Sequence, residues 1–227
     1  MKYNKIVRGT FIERPNRFIA RVMIDNEICT VHVKNTGRCK ELLVEGVTVY
    51  LSASDNPARK TKYDLIAVEK VCGSQTRLIN MDSQIVNDVA EEYLRAQFPN
   101  AYIKREVTYV SSRFDFYIEN GEEKAFLEVK GVTLENDGIV SFPDAPTERG
   151  IKHLKELMSA KSRGYMAYVL FIIQMKDVKY FTPNDKTHKE FGDALRQAKT
   201  EGVKILAIDC LVEPDSVNYG KEVEIIL

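Results

Sequence analysis

Between residues 1 and 80 apolar and polar positions alternate in short stretches, and from residue 81 the spacing lengthens to that of helices interleaved with strands. Ile19–Ile24, Cys29–Val33, Val47–Ser52 and Tyr63–Val68 read as strands, punctuated by turn signals such as Asp25-Asn26 and Asn56-Pro57. Several short strands in succession predict a small β-barrel, for which an oligonucleotide-binding (OB) barrel is the natural candidate. In the second part Asp82 is placed to cap a helix reaching about Phe98, with Ile85, Val89 and Tyr93 on one stripe. Strands follow at Arg113–Ile118 and Ala125–Lys130, then a helix over about 147–161 and a buried strand over Tyr165–Ile173. Pro183 and Gly202 bracket another helix, and Val203–Asp209 supplies a last core strand. The expected fold class is mixed α/β: a barrel over residues 1–80 and an α/β domain over residues 81–227.

The two strands around residue 120 read as a hairpin with a constrained register. Phe114, Phe116 and Ile118 are expected on one face with Asp115 on the other, and Leu127 and Val129 on one face with Glu128 and Lys130 opposite. Only an odd sum of paired residue numbers keeps the apolar sets together. A sum of 243, with a four-residue loop, sets Asp115 directly across from Glu128; a sum of 241, with the Asn120-Gly121 turn, sets them diagonally within about 8 Å. Burial of the hairpin thus brings two carboxylates together. Such a pair calls for a cation, a shared proton or solvent. A hard divalent ion, Mg²⁺ or Mn²⁺, takes oxygen ligands of this kind and keeps waters for a phosphate substrate. Lys130 falls on the same face, placed to orient a water or to offset charge in a transition state. Glu92, flanking the apolar stripe of the preceding helix, is a candidate third acid, while Glu91 points away.

Composition narrows the setting. With 44% hydrophobic and 29% charged residues, the chain has an ordinary globular makeup. The start, Met1–Thr10, lacks an apolar stretch of signal-peptide length, and the most apolar run, Ala167–Ile173, is far shorter than a membrane helix. A cytoplasmic protein that does not engage membranes is expected. Its four cysteines show no close pair and no zinc spacing, so they are expected to be reduced and structural. Net charge is zero overall but uneven: residues 1–80 hold 14 Lys and Arg against 8 Asp and Glu, and the rest hold 19 against 25. A basic barrel beside an acidic, carboxylate-bearing domain suits a polyanion partner together with a metal.

An Asp followed by Glu-x-Lys on the next strand resembles the restriction-endonuclease-like nuclease pattern, here Asp115, Glu128 and Lys130. Beyond it come Gly131-Val-Thr-Leu134 and the run FPDAPTERGIKHL from Phe142 to Leu154. Together with HVKNTG from His32 to Gly37 and NPARKTKY from Asn56 to Tyr63, these segments resemble the sugar fermentation stimulation protein family over nearly the whole chain, from about Val7 to Ile208. The resemblance implies an N-terminal OB barrel, a C-terminal restriction-endonuclease-like domain, DNA binding and a role in regulating sugar catabolism. Asp115, Glu128 and Lys130 match the nuclease triad by position, and Asp144, Arg149, Lys152 and His153 match the family's F-P-D-A-x-T-x-R-G-x-K-H-L segment. Lys34 and Arg38-Cys39-Lys40 depart from it, standing where other members often carry Pro and a Ser-Met pair.

Physical reasoning gives these residues roles. Arg149 and Lys152, three apart on a helix, are expected to bind adjacent phosphates, and His153 to bond a phosphate or relay a proton. Asp144 is expected to cap its loop or to reach the metal through water. In the barrel, Lys34, Arg38, Lys40, Arg59, Lys60 and Lys62 are the expected nucleic-acid contacts, with Tyr63 or Phe18 as stacking platforms. Two functions follow. The first is metal-dependent hydrolysis of DNA phosphodiesters, with Asp115 and Glu128 as ligands, Lys130 at the water and Glu92 in support. The second is a non-catalytic DNA-binding regulator on a nuclease-like fold. Strandedness of the DNA is open, as is a homodimeric state.

Overall fold

The computed structural model describes residues 1–35, 37–73 and 75–227. Thr36 of the 32–37 segment therefore lies outside the described residues. The first domain is built from β1 (Ile6–Asn16), β2 (Ile19–Ile24), β3 (Glu27–Val33), β4 (Thr48–Ala53), β5 (Tyr63–Cys72) and β6 (Gln75–Asn80). β1 pairs antiparallel with both β2 and β4, β2 with β3, and β4 with β5. A short parallel pairing of His32 with Asp64 and Val33 with Leu65 then closes the ring. This is an OB barrel: closure leaves no free edge among its five strands, and β6 extends outward along β5. Val22, Val31, Val33, Val49, Leu51 and Leu65 fill the interior without solvent exposure. Gly9 lets β1 lie close against β2; a Cβ there would lie 2.5 Å from Val22 and 2.9 Å from the Met23 carbonyl.

The second domain runs through α1 (Val86–Gln97), β7 (Tyr102–Tyr109), β8 (Ser112–Asn120), β9 (Glu123–Val132), β10 (Glu135–Asn136), β11 (Ile139–Phe142), α2 (Glu148–Ser162), β12 (Met166–Ile173), β13 (Tyr180–Pro183), α3 (Asp185–Thr200), β14 (Lys204–Glu213) and β15 (Ser216–Glu222). Its main sheet has the order β15-β14-β12-β9-β8-β7, with β9, β12 and β14 parallel at the centre. α1 covers one face, where Val89 and Leu94 pack with Phe116, Leu127, Leu170 and Ile172. The core on the other face joins Leu154 and Leu157 of α2 and Phe191 and Leu195 of α3 to Phe126 and Phe171. A helix on each face explains why the central strands read as nearly unbroken apolar runs. No helix among the described residues is long and apolar enough to cross a membrane.

Two local expectations are corrected. Asp82 does not cap α1. It accepts from the Gln84 amide at 2.9 Å in a preceding turn and from Lys34 Nζ at 2.9 Å, and α1 starts at Val86 without a side-chain cap. Phe114 does not share a face with Phe116: it packs in the α2-side core, 5.4 Å from the Phe126 ring. Met1 to Tyr3 lie on the second domain, where the Tyr3 amide donates to the Asp215 carbonyl at 2.7 Å and Lys2 pairs with Ser216. At the junction Gln174 Nε2 donates to Asn80 Oδ1 at 2.8 Å and to the Asp82 carbonyl at 3.1 Å, a buried tie between β12 and the end of β6.

Candidate active site

The hairpin pairs Phe116 with Leu127 and continues to Asn120 with Glu123, the register whose numbers sum to 243. The turn is tighter than the four-residue loop expected, because Gly121 at φ 63° permits a two-residue connection. One step further along this register Asp115 faces Glu128, but the ladder stops at Phe116. There β8 parts from β9, and the Asp115 carboxylate takes up the β9 amide instead: Oδ2 accepts from Val129 N–H at 2.8 Å. Oδ1 accepts from the Asn87 side chain of α1 at 2.9 Å. Both faces of the sheet therefore contribute to one site.

Glu128 is 4% exposed. Its Oε1 accepts from Lys130 Nζ at 2.5 Å and from His153 Nδ1, while Oε2 is buried without a hydrogen-bond partner. His153 Nε2 accepts from Arg149 Nε at 3.3 Å, which assigns the ring proton to Nδ1 and makes it the donor to Glu128. The two carboxyls are shifted in opposite directions. Burial raises the Asp115 carboxyl, and the charge of Glu128 raises it further against the Val129 amide, Asn87 and Lys130. Burial also works to raise Glu128, yet His153 and Lys130 outweigh it and hold that carboxyl below its ordinary value.

This donor set fits a hard divalent ion. It offers an unpartnered buried oxygen beside a second carboxylate whose ionised form is held back by like charge. Among the described residues no group of three or more His, Cys, Asp or Glu side chains forms a metal cluster. Waters and substrate oxygens would complete the shell, as suits Mg²⁺ or Mn²⁺.

Other expected site residues fall elsewhere. Glu92 is not at the carboxylate pair; its Oε1 accepts from the amino-terminal ammonium at 3.2 Å, and Asn87, a turn earlier, is the α1 side chain that reaches Asp115. Lys34 and Arg59 are internal partners rather than free cations. Lys34 bonds Asp82, and Arg59 makes a two-pronged pair with Asp64 at 2.9 and 2.5 Å where β3 meets β5. His153, 4% exposed, is buried under Arg149 and does not face solvent. Lys152 stays exposed but donates to the Ser111 carbonyl at 2.9 Å, so it and Arg149 diverge. Asp144 does hold a loop, that of the barrel: Oδ2 accepts from the Arg38 amide at 3.2 Å.

Arg38 and Lys40 are exposed and share a pocket of about 460 Å³ with Arg14 and Arg17, which sequence reading overlooked. Arg14 shapes it by donating to the carbonyls of Arg17, Asn35, Gly37 and Arg38. Phe18, 47% exposed, lies 5.1 Å beneath the Arg17 guanidinium. Lys60 and Lys62 are exposed on another part of the barrel, with Lys62 5.2 Å over Tyr63.

His153 supports the site from inside, which yields a prediction. His153→Ala should lower stability by about 1–3 kcal/mol, because it strips a buried carboxylate of a donor. Urea unfolding measures the effect.

Comparison with known proteins places this architecture. Residues 12–80 match the model of the SfsA N-terminal OB domain, and residues 83–216 that of the sugar fermentation stimulation protein RE domain. A sugar fermentation stimulation protein homolog of Desulfitobacterium hafniense is 60% identical over 224 residues, covering 97% of this chain and 96% of that protein. One of Clostridium beijerinckii is 57% identical over 230 residues, covering all of both. The solved structure of Pyrococcus furiosus SfsA in complex with Ca²⁺ superposes with a TM-score of 0.87 at 27% identity, covering 100% of this chain and 98% of that one.

Proposed function

The chain belongs to the sugar fermentation stimulation protein family, and from that premise and the geometry around Glu128 we propose that it is a DNA-binding protein that hydrolyses phosphodiesters with the help of a divalent cation. The observation that carries this reading is the buried, unpartnered Oε2 of Glu128 next to Asp115. A structural glutamate at such depth normally has its second oxygen satisfied. A relative described in complex with Ca²⁺ adds weight to a divalent ion.

Asp115 and Glu128 would hold Mg²⁺ or Mn²⁺, which when bound supplies positive charge to the phosphate and an acidified water. The protein's own groups do the rest. Lys130, anchored on Glu128 Oε1, keeps its remaining protons for charge that builds on the phosphoryl oxygens. His153 fixes Glu128 through Oε1, which would leave the other oxygen for the ion. Asn87 and the Val129 amide fix Asp115 from both sides. Calorimetric titration with Mn²⁺ tests the ligand assignment: the wild type should bind, and Glu128→Gln should lose at least about tenfold in affinity, no less than removing a group that merely supports a ligand costs. Equal affinity in both would count against the assignment.

Arg17, Arg38 and Lys40 form the basic approach to DNA. Arg38→Ala and Lys40→Ala should each weaken binding to all sequences alike and reduce the slope of log affinity against log salt by about one. Binding measured from low to moderate salt checks this. A non-catalytic regulator of sugar catabolism is the second reading. It is favoured by Lys130 and His153, which already give Glu128 a built-in partner set. It expects salt-sensitive binding with no metal-dependent product.

A further inference from the structure

Between the barrel and the α/β domain lies a cavity of about 330 Å³ that Asp115 and Glu128 do not line. Its walls include Asn35 of the barrel, Ser83 and Val86 at the approach to α1, Gly131 of β9, and Ser141 and Phe142 of β11. Two of these are chain neighbours of the site. Val86 precedes Asn87, which holds Asp115, and Gly131 follows Lys130. Gly131 lets the end of β9 meet its neighbours closely: a Cβ there would lie 2.9 Å from Gln174 Oε1 and 3.0 Å from Val86.

Among the described residues the lining contains no Lys or Arg, and its one charged side chain is Asp144, already engaged by the Arg38 amide. A phosphate would be desolvated there without a counter-charge, which is unfavourable. Neutral polar side chains line it: Asn35, whose Oδ1 accepts from the Gly37 amide, Ser83, whose hydroxyl donates to the Lys34 carbonyl, and Ser141; with the Phe142 ring alongside, they suit a flat uncharged heteroaromatic group. The cations lie just outside, for Gly37 and Ala145 border both this cavity and the basic pocket of Arg17, Arg38 and Lys40. A strand whose phosphates follow those cations has a base within reach of the cavity.

We infer that this cavity takes one unpaired nucleobase beside the phosphodiester presented to Asp115 and Glu128, so that the protein selects single-stranded DNA over intact duplex. The inference rests on the nuclease reading above and names its substrate class. A paired base is stacked and engaged at its edge, and must be unpaired before it can enter; in a single strand that cost is absent.

The test measures affinity in EDTA, so that cleavage does not enter, for a thymidine oligonucleotide, the same backbone with every base removed, and a duplex of the same length. Wild type should prefer the base-bearing single strand over either competitor by about tenfold, within the range that one stacked base contributes. Ser141→Phe and Ser83→Trp fill the cavity from opposite walls, and each should reduce the preference over the baseless strand to about twofold while leaving affinity for that strand unchanged. Circular dichroism establishes which variants are folded. A wild type without base preference, or a folded variant that keeps it in full, overturns the inference. A wild type that binds none of the three even at low salt overturns the DNA-binding reading itself, so the two failures are distinguishable.

Discussion

Asp115→Asn is expected to abolish metal-dependent cleavage, with the rate falling about a thousandfold or more, on the order of what removing one transition-state-stabilising group costs. The substitution is nearly isosteric, and the amide oxygen can still accept from the Val129 N–H that Asp115 engages. What disappears is the negative charge. The same step removes the repulsion from Glu128 that raises the Asp115 carboxyl, so the variant should fold at least as well as the wild type. DNA affinity should stay within about twofold, because the exposed cations that would contact phosphates are untouched. Cleavage rates and equilibrium binding on the same oligonucleotide separate the two effects. Equal cleavage by variant and wild type would remove Asp115 from the chemistry.

The largest effect on stability is expected at Glu135, which no sequence motif singled out. Its side chain is fully buried, with Lys70 Nζ 2.7 Å from one oxygen and Arg77 Nη1 2.7 Å from the other, and the Gly138 amide donates to it at 2.6 Å. The cluster joins the β5–β6 hairpin of the barrel to β10 of the second domain. Glu135→Gln leaves two nearly buried cations without a counter-ion and should destabilise the protein by about 3–5 kcal/mol, measured by urea or thermal unfolding. Burial alone would raise this carboxyl, yet Lys70, the Gly138 amide and Arg77 outweigh it and hold it below its ordinary value. For a group depressed in the folded state, the contribution is present above the unfolded value of about 4.3 and lost as pH falls through the folded one. The gap between wild type and variant should therefore be wide at neutral pH and narrow in acid. A gap that stays constant down to acid pH would contradict the assignment.

The geometry of the candidate site was legible where it depends on local pattern. Alternation in Phe116, Ile118, Leu127 and Val129 left few registers, and one of them set Asp115 across from Glu128 with Lys130 alongside. The barrel strands that carry clean alternation were legible too. β1 was not, because Gly9, Pro15 and its charges break the alternation along a strand that turns between two partners. β7 and β15, at the edges of the sheet, are mostly solvent-facing and carry no apolar period. Long-range pairing was the other blind spot. Nothing local marks Arg59 as the partner of Asp64, Lys34 as that of Asp82, or His153 as a buried prop for Glu128. A basic residue in a basic segment reads the same whether it faces DNA or an acid brought close by the fold. Asn87 shows the converse: an unremarkable helix residue gains its role only because β8 parts from β9 at Asp115.

The central claim, that two carboxylates and a lysine on this sheet cut DNA with a divalent ion, is tested most directly by incubating the purified protein with single-stranded and duplex DNA in Mg²⁺, Mn²⁺ or EDTA, with Asp115→Asn beside it. The expected products require both the metal and Asp115 and form faster from the single strand. DNA that is bound but left intact under every metal condition would contradict that claim and leave the second domain as a binding platform.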